Sequence, residues 1–203
     1  MKGLLLKDFY NMKGNFKLLA ILFVFYVGIS VKSKDLTMLI TMMGILSLIL
    51  TMNNYAYDEK ANWEKVALTM PLSREELVYS KYLFAGIILG VALLFDLFAF
   101  AWADGSRMHE GVMYGILLTS VYGIITGVVL PLLFKFGSQN AKYIVLILIA
   151  IPSLGISVMP KEWMPNIRIS DSQIVVVAIV AAVVTWIISI CISKRICSQK
   201  EYS

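Results

Sequence analysis

One carboxylate lies inside an apolar run: Asp96, in the stretch Tyr82–Trp102, about two helical turns from its far end. A carboxylate in hydrocarbon is costly, so it marks a translocation path or it is satisfied by a buried hydrogen bond; Asp96 fits both readings. The other concentration of functional groups is the polar run from Tyr57 to Tyr82, YDEKANWEKVALTMPLSREELVYSKY, where acids and bases alternate around Trp63. His109, the single histidine, stands beside Asp104 and Glu110, too few convergent ligands for a metal. No G-x-x-x-x-G-K-[ST] phosphate loop, G-x-S-x-G, H-E-x-x-H or paired-cysteine motif occurs, so the chain is expected to be no enzyme and to bind no cofactor or metal. Charged residues do not recur through several apolar stretches, as a proton or sodium relay requires. Cys191 and Cys197, six residues apart, read as ordinary reduced residues.

The elements that must hold these groups are membrane helices. The 203 residues are 59% apolar and 15% charged, where a soluble domain carries about 25% charge, and the mean hydropathy is +0.80. A hydrocarbon core about 30 Å thick takes about 20 apolar residues per helix. Six stretches meet or approach that: Leu18–Val31, Leu36–Met52, Tyr82–Trp102, Gly111–Phe134, Tyr143–Met159 and Ile174–Ser193. The expectation is one all-α integral membrane domain over 1–203, with six spans. The first stretch has only 14 uncharged residues, and it spans only if Lys17 and Lys32 snorkel to the interfaces or flanking residues extend it. Basic residues ahead of an apolar run also resemble a signal peptide, but no clean small-x-small site follows and Leu4–Leu6 are apolar, which favours retention.

Lysine and arginine set the orientation. With the N-terminus inside, thirteen fall on inner segments (Lys2, Lys7, Lys13, Lys17, Lys60, Lys65, Arg74, Lys81, Lys135, Lys142, Lys194, Arg195, Lys200). Five fall outside: Lys32, Lys34, Arg107, Lys161 and Arg168. Both termini are therefore expected in the cytosol of a cell membrane. The net charge of +5 follows from topology, with no nucleic-acid partner needed.

Ahead of the first span, Leu5, Phe9, Met12 and Phe16 recur at helical spacing, opposite Lys2, Lys7, Asn11 and Lys13. This fits an interfacial helix over 1–16 and equally a plain basic anchor. In the cytosolic segment 53–81, Trp63, Val66, Ala67 and Met70 share a helical face, with Lys60, Glu64 and Lys65 left for water. Pro71 stops that helix. Ser73-Arg74-Glu75-Glu76 is a capping box, which starts a new helix at Arg74 running into the third span. The spacing thus predicts helix, turn, helix; a solvated loop is the alternative by composition. Gly86-x-x-x-Gly90 and Gly123-x-x-x-Gly127 permit close helix contact, within the chain or between copies. Pro131 and Pro152 are expected to kink the fourth and fifth spans. Trp102, and Trp163 in the proline-containing outer loop 160–172, suit an outer aromatic belt. Residues 194–203 form a cytosolic tail.

The run Tyr57-Asp58-Glu59-Lys60, Trp63-Glu64, Thr69-Met70-Pro71-Leu72-Ser73-Arg74-Glu75-Glu76 and Ser80-Lys81-Tyr82 resembles the segment between the second and third spans of type-2 ATP-binding-cassette exporter permeases. There an acidic "DE(K)" opening, an "LP(L/I)SR" turn and an "(S/A)KY" exit follow one another. The resemblance implies a permease that pairs with separate ATPase subunits, which bind ATP and magnesium, and works with a second copy or a related permease. It implies that Asp58 to Met70 form a coupling helix, with Asp58, Glu59, Trp63, Glu64, Val66, Ala67 and Met70 meeting the ATPase. Pro71, Leu72, Ser73 and Arg74 would carry the movement into the third span. Met70 stands where leucine is frequent, a conservative change. The short loop between the fifth and sixth stretches departs from large lipid and glycan exporters, so their re-entrant helices are not expected. In build the chain is similar to bacterial phenol-soluble modulin exporter permeases, which implies amphipathic peptide cargo; drug, lipid or lantibiotic export would use the same scaffold. The reading is an ATP-driven exporter permease. The alternative is a membrane scaffold or sensor that binds a cytosolic partner through the same segment, and an ion-coupled carrier is disfavoured by the sparse charge.

Overall fold

The computed structural model describes residues 2–33, 37–70, 72–103, 108–158 and 171–199, all of them helix or tight turn. α1 (Lys2–Met12) passes through a 3-10 turn (Lys13–Asn15) into α2 (Phe16–Ser33). Then come α3 (Thr37–Lys60), the short α4 (Trp63–Leu68), α5 (Arg74–Ala103), α6 (Met108–Val158) and α7 (Asp171–Gln199). Among the described residues, four stretches are long and apolar enough to cross a membrane: Leu39–Lys60, Arg74–Ala99, Gly111–Ile147 and Ser172–Gln199. The chain is a multi-pass helical membrane protein. α2 carries a shorter apolar stretch, Ala20–Ser30.

α3 and α5 lean on α6, α7 lies along α6, and α1 is set against α3 and α5. The core brings Tyr55 of α3 and Val78, Tyr82 and Ala85 of α5 against Val129, Leu130, Leu133 and Phe134 of α6. In lipid there is little hydrophobic force between helices, so close contact and polar bonds must hold them. Trp186 of α7 supplies both. Its Nε1–H donates to the Gly123 carbonyl at 2.8 Å, and a Cβ at Gly127 would stand 3.1 Å from Thr185 and 3.3 Å from the indole. A Cβ at Gly86 would be 3.4 Å from the same ring. Gly86, Gly123 and Gly127 thus serve packing within the chain, while Gly90 has open space around it.

Two boundaries differ from the sequence reading. The second span was expected to end at Met52 before the polar segment 53–81, yet α3 continues to Lys60. Asn54 and Asp58 prolong it because partners on α1 and α5 satisfy their side chains. Between the fourth and fifth stretches the helical path leaves α geometry at Gly137 (φ 76, ψ 172), whereas Pro131 and Pro152 keep helical backbone angles. Glu59 explains the break: its Oε2 accepts the Ser138 N–H at 2.7 Å, and a Cβ on Gly137 would lie 2.5 Å from its Oε1. A positive φ and a carboxylate against Cα leave only glycine there.

The buried stripe of α1 is Leu4, Asp8 and Met12. Phe9, expected on the apolar face, is 38% exposed with its ring edge-on to Phe84 at 5.5 Å; Leu5 is partly buried. The helix is rotated because Asp8 turns inward to a lysine of α5. Loop 160–170, the side chains of Trp102, Asp104, His109, Glu110 and Pro152, and residues 200–203 lie outside the described residues, so the outer belt and the tail are described only as far as Gln199.

Candidate functional site

The site is built where α1, α3, α4 and the start of α5 converge. α3 ends because Asn62 adopts left-handed geometry (φ 49, ψ 35), which asparagine tolerates better than branched residues. The chain turns at Ala61–Asn62 and re-enters helix as α4. Ala67 is fully buried against Leu4 and Leu77, with Trp63 and Leu72 packed around them. Val66 and Met70, each 44% exposed, point away. The expected single face of Trp63, Val66, Ala67 and Met70 is therefore split: Trp63 and Ala67 turn to the protein and Val66 and Met70 to its outside. Pro71 lies outside the described residues.

The capping box forms as its spacing predicts. The Ser73 N–H donates to Glu76 Oε2 at 2.9 Å and the Glu76 N–H to Ser73 Oγ at 3.2 Å, so α5 begins at Arg74. Arg74 then reaches across the fold. Its guanidinium donates to the carbonyls of Cys197 (3.2 Å) and Ser198 (2.9 Å), the last turn of α7, where cations offset the helix dipole. Lys194 of α7 returns a bond to Glu75 at 2.9 Å. Cys197 is buried in this joint and Cys191 is exposed, both as free thiols.

Beneath α4 lies an ionic knot. Lys81 Nζ lies 2.8 Å from Asp8 Oδ1 and 2.6 Å from Asp58 Oδ2, and it also donates to Asn54 Oδ1. Lys7 Nζ lies 2.5 Å from Asp58 Oδ2 and 3.2 Å from Asp8 Oδ1, and Asn11 donates to Asp58 Oδ1 at 3.1 Å. Asn54 closes the ring through the Asp8 carbonyl at 3.2 Å. Asp8, Asn54, Asp58 and Lys81 are all buried. Two cations and two anions cancel, which makes their burial affordable where a single charge would not be. Burial lowers the Lys7 ammonium from its ordinary range and Lys81 adds to this, against the pull of Asp58 and Asp8. The same ammonium sits 4.5 Å above the Trp63 ring, tying α1 to α4 by a cation–π contact. Glu64 accepts a bond from the Tyr55 hydroxyl at 3.1 Å.

The sequence-predicted residues thus divide three ways. Val66 and Met70 are exposed. Ala67, Trp63, Leu72 and Glu64 hold α4 to its own protein, while Asp58, Glu59 and Arg74 bind α4's surroundings to α1, α6 and α7 and Ser73 caps α5. Asp96 is not part of this assembly: 22 residues beyond Arg74 on the same helix, it lies about 33 Å away along the axis. It is buried, beside Gly115 of α6, and its Oδ1 accepts no hydrogen bond among the described residues. Asp8, Asn54 and the inward turn of Lys7 escaped the sequence reading. The signal available was Asp8 itself, an acid in a basic helix whose neighbours at i±4, Leu4 and Met12, are apolar.

Among curated proteins and among solved structures, none matches the chain. A family model described as an ABC-2 family transporter protein matches residues 3–198, from α1 through α7 and across the whole site. The chain belongs to the ABC-2 family of transporter proteins, as a membrane component of an ABC transporter.

Proposed function

We propose that this chain is the six-span permease of an ATP-driven exporter, with both termini in the cytosol and α4 as the coupling helix that docks on a separate ATPase. The observation that carries the reading is the split of the α4 segment: Val66 on the six-residue helix and Met70 in the turn just after it are exposed, while the helix's other face is bolted down by Ala67 and Trp63. A short helix with a free apolar face and a fixed back can receive a push and pass it on. The push would reach α5 through the capping box, α7 through Arg74, α1 through Lys7 and α6 through Glu59. ATP and magnesium belong to the partner subunit. The export path is assigned to the interface of two permease copies or of this chain with a related one, and Asp96, buried beside α6, would join it only as that path opens. The cargo class is amphipathic peptides or other hydrophobic molecules, which suit walls of aromatic and methionine side chains.

The test is co-purification with the ATPase expected from the neighbouring reading frame, followed by ATPase turnover in vesicles. Val66→Glu with Met70→Glu should abolish association while the permease melts as the wild type does. Undiminished association and turnover would refute the docking assignment. Trp63→Ala and Arg74→Glu are poorer probes, since both side chains also hold the permease to itself.

A further inference from the structure

A groove of about 760 Å³ runs between α6 and α7, from Gly127 and Thr185 at one end to Lys135 and Gln199 at the other. That volume is in the range of ligand clefts, about 300–1,000 Å³. Its wall is aliphatic and aromatic, with Leu132, Phe136, Ile188 and Ile192 prominent. The hydroxyls that line it are already used: Ser189 bonds the Gly127 carbonyl and the Tyr82 hydroxyl, and Thr185 donates to the Ala181 carbonyl. Along α7 the groove covers Thr185 to Gln199, about 21 Å, a little more than one leaflet's share of a hydrocarbon core of about 30 Å.

We propose that this groove holds an acyl chain of an anionic phospholipid of the inner leaflet, its headgroup at Lys135. Lys135 is exposed at the groove's end, 5.1 Å from the Phe136 ring, and forms no ion pair among the described residues. No lining residue is acidic. A second copy of this chain laid symmetrically on the groove would bury that lysine without a counter-charge, whereas a lipid phosphate supplies one. The same end of the bundle carries Lys142 and Arg195, exposed bases of the kind that gather anionic headgroups, while Lys194 is paired with Glu75. The inference rests on reading that end as cytosolic.

The experiment is native mass spectrometry of the full-length permease alone, without any ATPase, after equilibration with equal phosphatidylglycerol and phosphatidylcholine. A failure of ATPase coupling therefore leaves this result untouched. One phosphatidylglycerol should persist per chain, favoured over phosphatidylcholine about five-fold, the worth of one lysine near a charged surface. Lys135→Gln should bring the ratio close to one, Lys135→Arg should preserve it, and Ile192→Trp, which plugs the groove, should remove the adduct. If Ile192→Trp melts early, Ile188→Trp takes its place. Equal retention of both lipids by the wild type would overturn the proposal, as would a preference indifferent to Lys135→Gln. So would displacement by millimolar inorganic phosphate, or finding a peptide or a second copy of the chain in the groove.

Discussion

The two ends of α5 bury carboxylates differently. Around Lys81, Asp8 and Asp58 sit among two lysines and two asparagines, every charge matched by one of opposite sign. At Asp96 a carboxylate is equally buried, 2% exposed, yet it has no ion pair among the described residues; an oxygen without a donor is common to both ends, at Asp8 and at Asp96. The first arrangement is what a fixed joint needs, because a charge-balanced cluster of crossed ion pairs holds one geometry and resists change, even with Asp8 Oδ2 left without a donor among the described residues. The second is what an exposed-on-demand group needs: it has little to lose when its surroundings open. The comparison separates a charge-balanced joint at the α4 end, where coupling is proposed, from an unpaired carboxylate at the other, where a passage role is proposed.

Breaking the knot should have the largest consequence. Asp58→Ala leaves Lys81 and Lys7 sharing a single aspartate, and a cost of about 3–5 kcal/mol is expected, read as early thermal melting in detergent. Asp58→Met combined with Lys81→Met should cost less than Asp58→Ala alone, since a matched pair leaves together and the remaining Lys7–Asp8 pair stays neutral; a larger loss would mean the knot is more than its charges. Next comes the joint that Glu59 makes with α6. Gly137→Ala meets both the positive φ and the Glu59 carboxylate, and a loss of about 2 kcal/mol is expected, whereas Pro131→Ala should be milder; equal effects would return the kink to Pro131. Ser73→Ala removes one half of the capping box and should lower stability by about 1 kcal/mol, measured by melting and by exchange of the first α5 amides. The smallest stability effect belongs to Asp96→Asn, within about 1 kcal/mol of wild type and in the stabilising direction, because a poorly paired carboxylate is replaced by a neutral isostere. Transport by that variant should nonetheless fall. Unimpaired transport would leave Asp96 a purely structural group.

Much of the α4 end was legible because its signals are local. Ser73 and Glu76 are three residues apart, and their reciprocal bonds need no distant partner, so the start of α5 at Arg74 could be read directly. The extension of α3 through Asn54 and Asp58 could not. Those residues look like a loop until Lys81 and Lys7 arrive from positions 27 and 51 residues away in the chain. Arg74 shows the same limit: its charge and its place in the LSRE motif were plain, but its acceptors lie 123 and 124 residues on, at the end of α7. The glycine pairs announced close approach without naming the neighbour, which proved to be Trp186 for three of the four.

Composition and periodicity alone determined that this is an all-helical membrane chain, and the order of its motifs pointed to the segment through which a partner is proposed to act. Both follow from free energies summed over neighbouring residues: apolar length against bilayer thickness, and caps against unpaired amides. The tertiary structure alone decided which way α1 is turned, that the helical path breaks at Gly137, and that Asp8, Asp58 and Lys81 form one neutral cluster while Asp96 does not share in one. Those outcomes depend on opposite charges and on backbone clearance between residues dozens of positions apart, which no local pattern contains.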